Sequence, residues 1–232
     1  MMKQTEFDRF ADNYRKIHNH NLRKTGYTSD FFAERKVSEI ARLVADPKQN
    51  FNILDLGCGD GLCTAFFRQY FPNSFLQGLD VSGQSIQSAV RRDIPGAQFN
   101  IYDGSQIPFK NDSFHIILLA GVLHHVVDVP NQTRLIAECR RVLTKEGSLF
   151  VFEHNPLNPI TRKIVDDCPF DKNAKLINPI RLKKRLQQNG FQTRCRFIIF
   201  LPALLKKFEF LENWIWWVPI GGQYYYICLK KN

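Results

Sequence analysis

The sequence has 232 residues, 44% of them apolar and 23% charged, enough for one α/β domain with a sizeable core and too few for two full ones. That balance excludes intrinsic disorder over most of the length. The longest apolar runs, 116–123 and 197–205, stop well short of the roughly 18–20 residues of a membrane-spanning helix. The net charge of +10 is concentrated: residues 155–232 hold 14 Lys and Arg against 5 Asp and Glu, whereas residues 1–154 are near balance at 18 against 17. A basic C-terminal third suits an acidic substrate, an anionic membrane surface or nucleic acid, or is simply a solvated face. The N-terminal stretch MMKQTEFDRFADNY carries charges throughout and no apolar leader, so a soluble, cytoplasmic protein is expected, peripheral to a membrane at most. Six cysteines show no C-x-x-C spacing and no accompanying His cluster. They read as reduced thiols, and neither a disulfide framework nor a metal site is expected.

In chain order, residues 5–45 read as two helices, the second opened by Ser29 with Ala33, Val37, Ile40, Ala41 and Val44 at helical spacing. Short β-rich runs then alternate with amphipathic helical stretches. Strands are predicted at 52–56, 75–80, 97–102, 114–119 and 148–153, and helices near 62–70, 84–92 and 132–143. Several strands are nearly all apolar, as parallel strands covered on both faces are. The last of those helices has Pro130 near its start and sets Leu135, Ile136, Cys139, Val142 and Leu143 on one face. Beyond Glu153, four prolines (156, 159, 169 and 179) punctuate a long segment before a helix capped by Asn178 and closed by Gly190. Residues 194–201 and 223–230 read as two further strands, with an aromatic helical piece around 208–217 between them. The pattern predicts an α/β protein with a seven-stranded sheet and helices on both faces.

The most informative stretch is Ile53-Leu54-Asp55-Leu56-Gly57-Cys58-Gly59-Asp60-Gly61, an apolar strand running into three alternate glycines with a helix directly after. Glycines let the chain turn tightly and let a ligand touch bare backbone, while the helix N-terminus offers free N–H groups. The dinucleotide fingerprint G-x-G-x-x-G would need a third glycine where Leu62 stands. An acid inside the strand, Asp55, suits a cationic group such as an amino acid's ammonium better than a pyrophosphate. Asp80 closes the second strand nineteen residues after Gly61, where a carboxylate can accept from both ribose hydroxyls. Asp103, in Tyr102-Asp103-Gly104 after the third strand, could receive an adenine amine. Three acids at successive strand ends thus converge on a ligand with an amine, a ribose and a purine. Taken singly, Asp80 or Asp103 also reads as a cap or turn residue, and the glycine trio as a tight turn.

These residues resemble the class I S-adenosylmethionine-dependent methyltransferases, most closely the type 11/12 small-molecule branch that includes quinone-biosynthesis enzymes. The motif at 54–61 carries the likeness, supported by Phe114-His115-Ile116-Ile117-Leu118-Leu119-Ala120-Gly121-Val122-Leu123-His124-His125-Val126 and by 140–147 leading into the fifth strand. The resemblance implies a Rossmann-like, mostly parallel sheet in the order 3-2-1-4-5-7-6 with strand 7 antiparallel. It implies one domain, with an N-terminal helical cap (1–45), a cofactor-binding core (46–153) and a substrate-selecting remainder (154–232). S-adenosyl-L-methionine is the implied cofactor and S-adenosyl-L-homocysteine the product. Asp55, Gly57, Cys58, Gly59 and Gly61 would hold the methionine end, with Tyr14 reaching it from the cap. Asp80 would take the ribose, Val81, Asp103 and Gly104 the adenine, and Ala120 would lie near the sulfonium.

The implied activity is methyl transfer to an O, N or C nucleophile of a small-molecule or lipid-linked acceptor. His154, just after the fifth strand, is the candidate base, ahead of His124 and His125, which read as pocket-lining. No Asn/Asp-Pro-Pro-aromatic run, paired-glutamate loop or Pro-Cys nucleophile follows the fourth strand, which sets nucleobase and protein-arginine acceptors aside. Nucleic acid is not expected as a partner, since the charge comes without a recognition motif. Trp214, Trp216 and Trp217 beside Lys206-Lys207 would suit an anionic membrane surface. Two rivals remain: a non-catalytic protein that keeps the cofactor pocket, and an NAD-dependent oxidoreductase, which Leu62 and Asp55 disfavour.

Overall fold

The structure, a computed structural model, describes residues 19–126, 128–171 and 173–231. The first of the two predicted N-terminal helices falls mostly, and Tyr14 wholly, outside these residues. The strands are β1 (Asn52–Leu56), β2 (Phe75–Asp80), β3 (Ala97–Ile101), β4 (Phe114–Ala120), β5 (Leu143–His154), β6 (Phe191–Ile198) and β7 (Gln223–Lys230). They form one sheet in the order β3-β2-β1-β4-β5-β7-β6. The pairs from β3 to β5 are parallel, and β7 runs antiparallel to both β5 and β6, so the predicted order and the reversed strand are both observed. The helices are α1 (Ser29–Leu43), α2 (Leu62–Tyr70), α3 (Gly83–Val90), α4 (Val129–Val142), α5 (Pro159–Asp166), α6 (Pro179–Gln188) and α7 (Glu212–Ile215). No helix among the described residues is long and apolar enough to cross a membrane.

The period-two alternation of the strands sorts the core into two layers. On one face Leu54, Leu56, Ile117, Leu119, Leu149 and Val151 pack with Leu135, Ile136, Cys139 and Val142 of α4 and with Leu182 and Leu186 of α6. On the other, Ile53, Ile116, Leu118, Phe150 and Phe152 pack with Val37 and Ile40 of α1 and with Phe67 and Phe71 of α2. Tyr224 and Tyr226 point to the first layer and Tyr225 to the second. Each hydroxyl finds an acceptor, as a buried phenol must: Ile177 O at 2.6 Å, Pro179 O at 2.8 Å and the buried Glu39 carboxylate at 2.8 Å. Through these three bonds β7 ties the end of the 154–178 segment, the start of α6 and α1 to the sheet.

Several boundaries differ from those predicted. β5 begins at Leu143 rather than at 148, because Thr144-Lys145-Glu146-Gly147, turn-like in sequence, continues the strand across a register shift between Phe114 and Ile116 of β4. α4 starts earlier, at Val129, since the Asp128 side chain accepts from Asn131 N–H and Pro130 occupies the first turn. β6 starts at Phe191, immediately after Gly190, and ends at Ile198. The aromatic piece is a 3₁₀ stretch, Ala203–Leu211, followed by the short α7. Its anchor is polar: Glu212, 5% exposed, accepts from the N–H groups of Ile199, Phe200 and Leu201 and pairs with Arg35 of α1.

Gly78 of β2 lies where a Cβ would stand 2.4 Å from Cδ1 of Phe99 and 3.0 Å from Cys58 Sγ. Gly78→Ala is therefore expected to destabilise the protein by about 1–3 kcal/mol through overpacking. Phe99→Leu in the same chain should recover part of that loss, and a double-mutant cycle by urea unfolding measures the coupling.

Candidate functional site

Two adjoining cavities open at the C-terminal edge of the parallel strands, where ligands of open α/β sheets bind. The first, about 340 Å³, is walled by the β1–α2 turn, the ends of β2 and β4 and one face of α1. The turn is built by backbone geometry. Gly57 has φ 75° and Gly59 φ 55°, left-handed conformations that side chains disfavour. A Cβ on Gly57 would meet Val122 Cγ2 at 2.3 Å, whereas one on Gly59 would meet nothing within 4 Å and would intrude on open space. The N–H groups of Gly57 and Cys58 both donate to Leu79 O, at 2.7 and 3.0 Å, and Gly59 N–H donates to Asp80 Oδ2 at 2.9 Å. Asp80 Oδ1 accepts from Ser82 N–H at 2.9 Å. Its carboxylate is thus fixed from two sides while it lines the cavity.

The residues singled out from the sequence separate into two groups. Gly57, Cys58, Gly59, Asp80, Val81, Gly104 and Ala120 all stand on the wall of the first cavity. Asp55, Gly61 and Asp103 do not. Asp55 is 3% exposed and accepts from Thr64 Oγ1 at 2.7 Å. Burial pushes its pKa up to about 7, with the Thr64 hydrogen bond opposing the shift. Gly61 packs beneath Phe99 and Ala89. Asp103 is exposed, and its carboxylate takes the Ser105 hydroxyl at 2.7 Å and the N–H groups of Ser105 and Gln106. The Ser105 hydroxyl, with those backbone donors, holds its pKa down at about 2.

Sequence reasoning missed Tyr102, Val122 and the α1 residues Phe32 and Lys36, all on the same wall. The i, i+4 spacing of Phe32 and Lys36 was the available signal. Lys36 Nζ donates to Phe32 O at 3.2 Å, and burial lowers its pKa against the pull of Cys63, Asp55 and Glu153.

The second cavity, about 130 Å³, shares Phe32, Lys36, Ala120, Gly121 and His125 with the first. It adds His124, Phe152, Glu153, His154, Ile164, Val165, Asp171, Asn21 and Gln223. His154 therefore faces this space, its ring 5.3 Å from that of His124. Glu153, 1% exposed at the end of β5, accepts Leu123 N–H through Oε1 at 3.0 Å and His124 Nδ1–H through Oε2 at 2.5 Å. Burial opposes a charge on His124, but Glu153 outweighs it and the pKa rises. Two buried polar atoms on this wall, Asn21 Nδ2 and Gln223 Oε1, have no hydrogen-bond partner among the described residues.

Known proteins agree with this geometry. Residues 53–147 match the family model described as a methyltransferase domain. The demethylmenaquinone methyltransferase of Thermotoga maritima is 29% identical over 152 residues, 66% of this chain and 61% of that one. The enzyme of the same name from Lactobacillus johnsonii is 28% identical over 222 residues, 80% of this chain and 83% of that one. This chain thus spans about three fifths of the length of the first and most of the second. A solved S-adenosylmethionine-dependent methyltransferase from Thermotoga maritima, described as a possible histamine N-methyltransferase, superposes with a TM-score of 0.68 at 18% identity, covering 97% of this chain and 99% of that one. The class is that of the class I S-adenosylmethionine-dependent methyltransferases, as the glycine turn led one to expect. Residues 53–147 carry the methyltransferase domain, and the chain is similar to the demethylmenaquinone enzymes.

Asp55 yields a pH prediction. Its carboxyl stays protonated in the fold up to about pH 7, while in the unfolded chain it ionises near pH 4. Between those values the folded state holds the extra proton, so this group's contribution to stability falls as pH rises through the window and levels off above it. Asp55→Asn keeps an acceptor for Thr64 without the charge. Denaturant unfolding from pH 4 to 8 should show a flatter profile for the variant and a gain in stability at pH 8. An unchanged slope would contradict the assignment.

Proposed function

We propose that this protein transfers the methyl group of S-adenosyl-L-methionine to a small-molecule or lipid-linked acceptor held in the second cavity. The supporting observation is the meeting of the two cavities at Ala120 and Gly121, one walled by a fixed carboxylate and bare glycine backbone, the other by apolar side chains and unpartnered polar atoms. The open space at Gly59 and the doubly held Asp80 fit an adenosyl ligand. The cofactor supplies an electrophilic methyl on a sulfonium; the chain's task is to position a nucleophile in line and exclude water.

In this reading Asp80 accepts from the ribose hydroxyls, and Gly57, Cys58 and Gly59 lie along the methionine portion. Val81, Tyr102 and Gly104 border the adenine. Asp103, its oxygens engaged by Ser105 and Gln106, shapes that border. Asp55, behind the glycine turn, places a carboxyl near a cationic ligand, whose arrival favours its ionised form. Phe152, Ile164 and Val165 give the acceptor an apolar bed, and Asn21 Nδ2 and Gln223 Oε1 give it one donor and one acceptor. His154 is placed to take the acceptor's proton. The single-domain division into cap, cofactor-binding core and substrate-selecting remainder belongs to the same proposal.

A lipid-linked acceptor is favoured by the surface of the C-terminal segment. Trp214 and Trp217 are 79% and 65% exposed, with Leu204 and Phe210 also exposed beside Lys206 and Lys207. Trp216 is instead covered by Arg194 and Arg196, 5.3 and 4.9 Å from its ring. Exposed aromatics among lysines are the composition of an interfacial contact with anionic lipid.

Two measurements test the proposal. Asp80→Ala should weaken S-adenosyl-L-homocysteine binding by about 1.5–3 kcal/mol in calorimetric titration, the loss of hydrogen bonds to a charged acceptor. Unchanged affinity would remove the ribose assignment. With anionic vesicles the protein should co-sediment at low salt and dissociate as salt is raised, and replacing Trp214 and Trp217 together by Ser should abolish sedimentation. Retention in the supernatant would point to a soluble acceptor.

A further inference from the structure

We propose that His124, His125 and Asp171 form a binding site for one divalent transition-metal ion, opening onto the second cavity. The inference goes beyond the methyl-transfer reading and does not depend on it. The three side chains come from two separate 3₁₀ turns, Leu123–His125 after β4 and Pro169–Asp171 after α5. Lys175 N–H donates to His124 O at 2.8 Å, joining the segment that carries Asp171 to the turn that carries both histidines.

Asp171 Oδ1 lies 3.4 Å from His125 Nε2 and 3.9 Å from His124 Nε2, and one donor atom from each residue fits within 4.8 Å of the others. Donors bound at about 2.0–2.2 Å to one ion stand roughly 3–3.6 Å apart, so small rotations complete the site.

The surroundings are those of a ligand set rather than of a chance cluster. Buried Glu153 accepts His124 Nδ1–H at 2.5 Å, which leaves the lone pair on Nε2, the atom facing Asp171. A carboxylate holding the far nitrogen is the usual support of a metal-bound imidazole. Glu153 is itself fixed by Leu123 N–H. Asp171 is 9% exposed, is hydrogen-bonded by Cys168 and faces Nε2 of both histidines. Two imidazoles and one carboxylate select zinc, iron, cobalt or manganese over magnesium and calcium. Three protein ligands leave coordination positions open toward the cavity, where an acceptor oxygen or water can bind.

The test is cobalt titration of the full-length, tag-free protein after chelator treatment. One Co²⁺ per chain is expected, with visible ligand-field bands, no thiolate charge-transfer absorption from the six cysteines, and displacement by Zn²⁺. His125→Ala and Asp171→Asn should each lower the affinity at least tenfold. Glu153→Gln, which preserves shape, should lower it about 10–100-fold and serves if either ligand variant fails to fold. Sub-stoichiometric uptake, thiolate bands, or affinity unchanged in folded variants would overturn the site. A parallel S-adenosyl-L-homocysteine titration keeps the two readings apart: cofactor binding without cobalt uptake overturns the metal site alone, and cobalt uptake without cofactor affinity supports the site while overturning the methyltransferase reading.

Discussion

The turn between β1 and α2 depends on being pinned to the end of β2. Leu79 O receives the amides of Gly57 and Cys58, and the Asp80 carboxylate receives that of Gly59. A chain bent this sharply exposes consecutive N–H groups, and the neighbouring strand end satisfies them before any ligand arrives. These bonds fix the turn where it walls the first cavity, with Val122 and Tyr102 on the same wall. The register that brings Asp80 alongside is set by β1–β2 pairing, with Asp55 opposite Gly78 and Leu56 opposite Leu79.

Much of this was legible in the sequence because it rests on local rules. The glycine turn, the two-sided apolar strands, the Asn178 cap and the opening of α1 at Ser29 follow from backbone sterics and periodicity. The strand order came from family resemblance, since pairing partners leave no local trace. What escaped were features set by distant contacts. β5 runs through Thr144–Gly147, the stretch that spans the register shift between the Phe114–Leu143 and Ile116–Ser148 pairs. The aromatic segment is anchored by Glu212 reaching three amides just beyond β6, a contact with no local trace. Asp55 and Asp103 carry the right residue types at strand ends, yet burial turns one inward and Ser105 occupies the other. His124, His125 and Asp171 were not grouped, since more than forty positions part the histidines from the carboxylate and only the fold of the proline-rich segment brings them together.

Beside its apolar contacts, α1 is held by a polar ladder centred on buried Glu39 and Glu212. Glu39 accepts from Arg42 and Tyr225 and pairs with Arg35, and Arg35 continues to Glu209 and Glu212. Each charge has a partner, which is the condition for burying any of them without large cost. The ladder joins three parts of the chain: the helix that covers the cavities, the last strand of the sheet and the aromatic surface segment.

Phe32 and Lys36 belong to both cavities at once, so part of the partition between them is made of side chains. A molecule settling on one side meets the same atoms that greet a molecule on the other. Whatever free energy the first occupant gains or forfeits by turning the lysine is passed to the second, and thermodynamic linkage makes the exchange equal in both directions. The coupling between the two ligands is then written into two residues of a single helical turn.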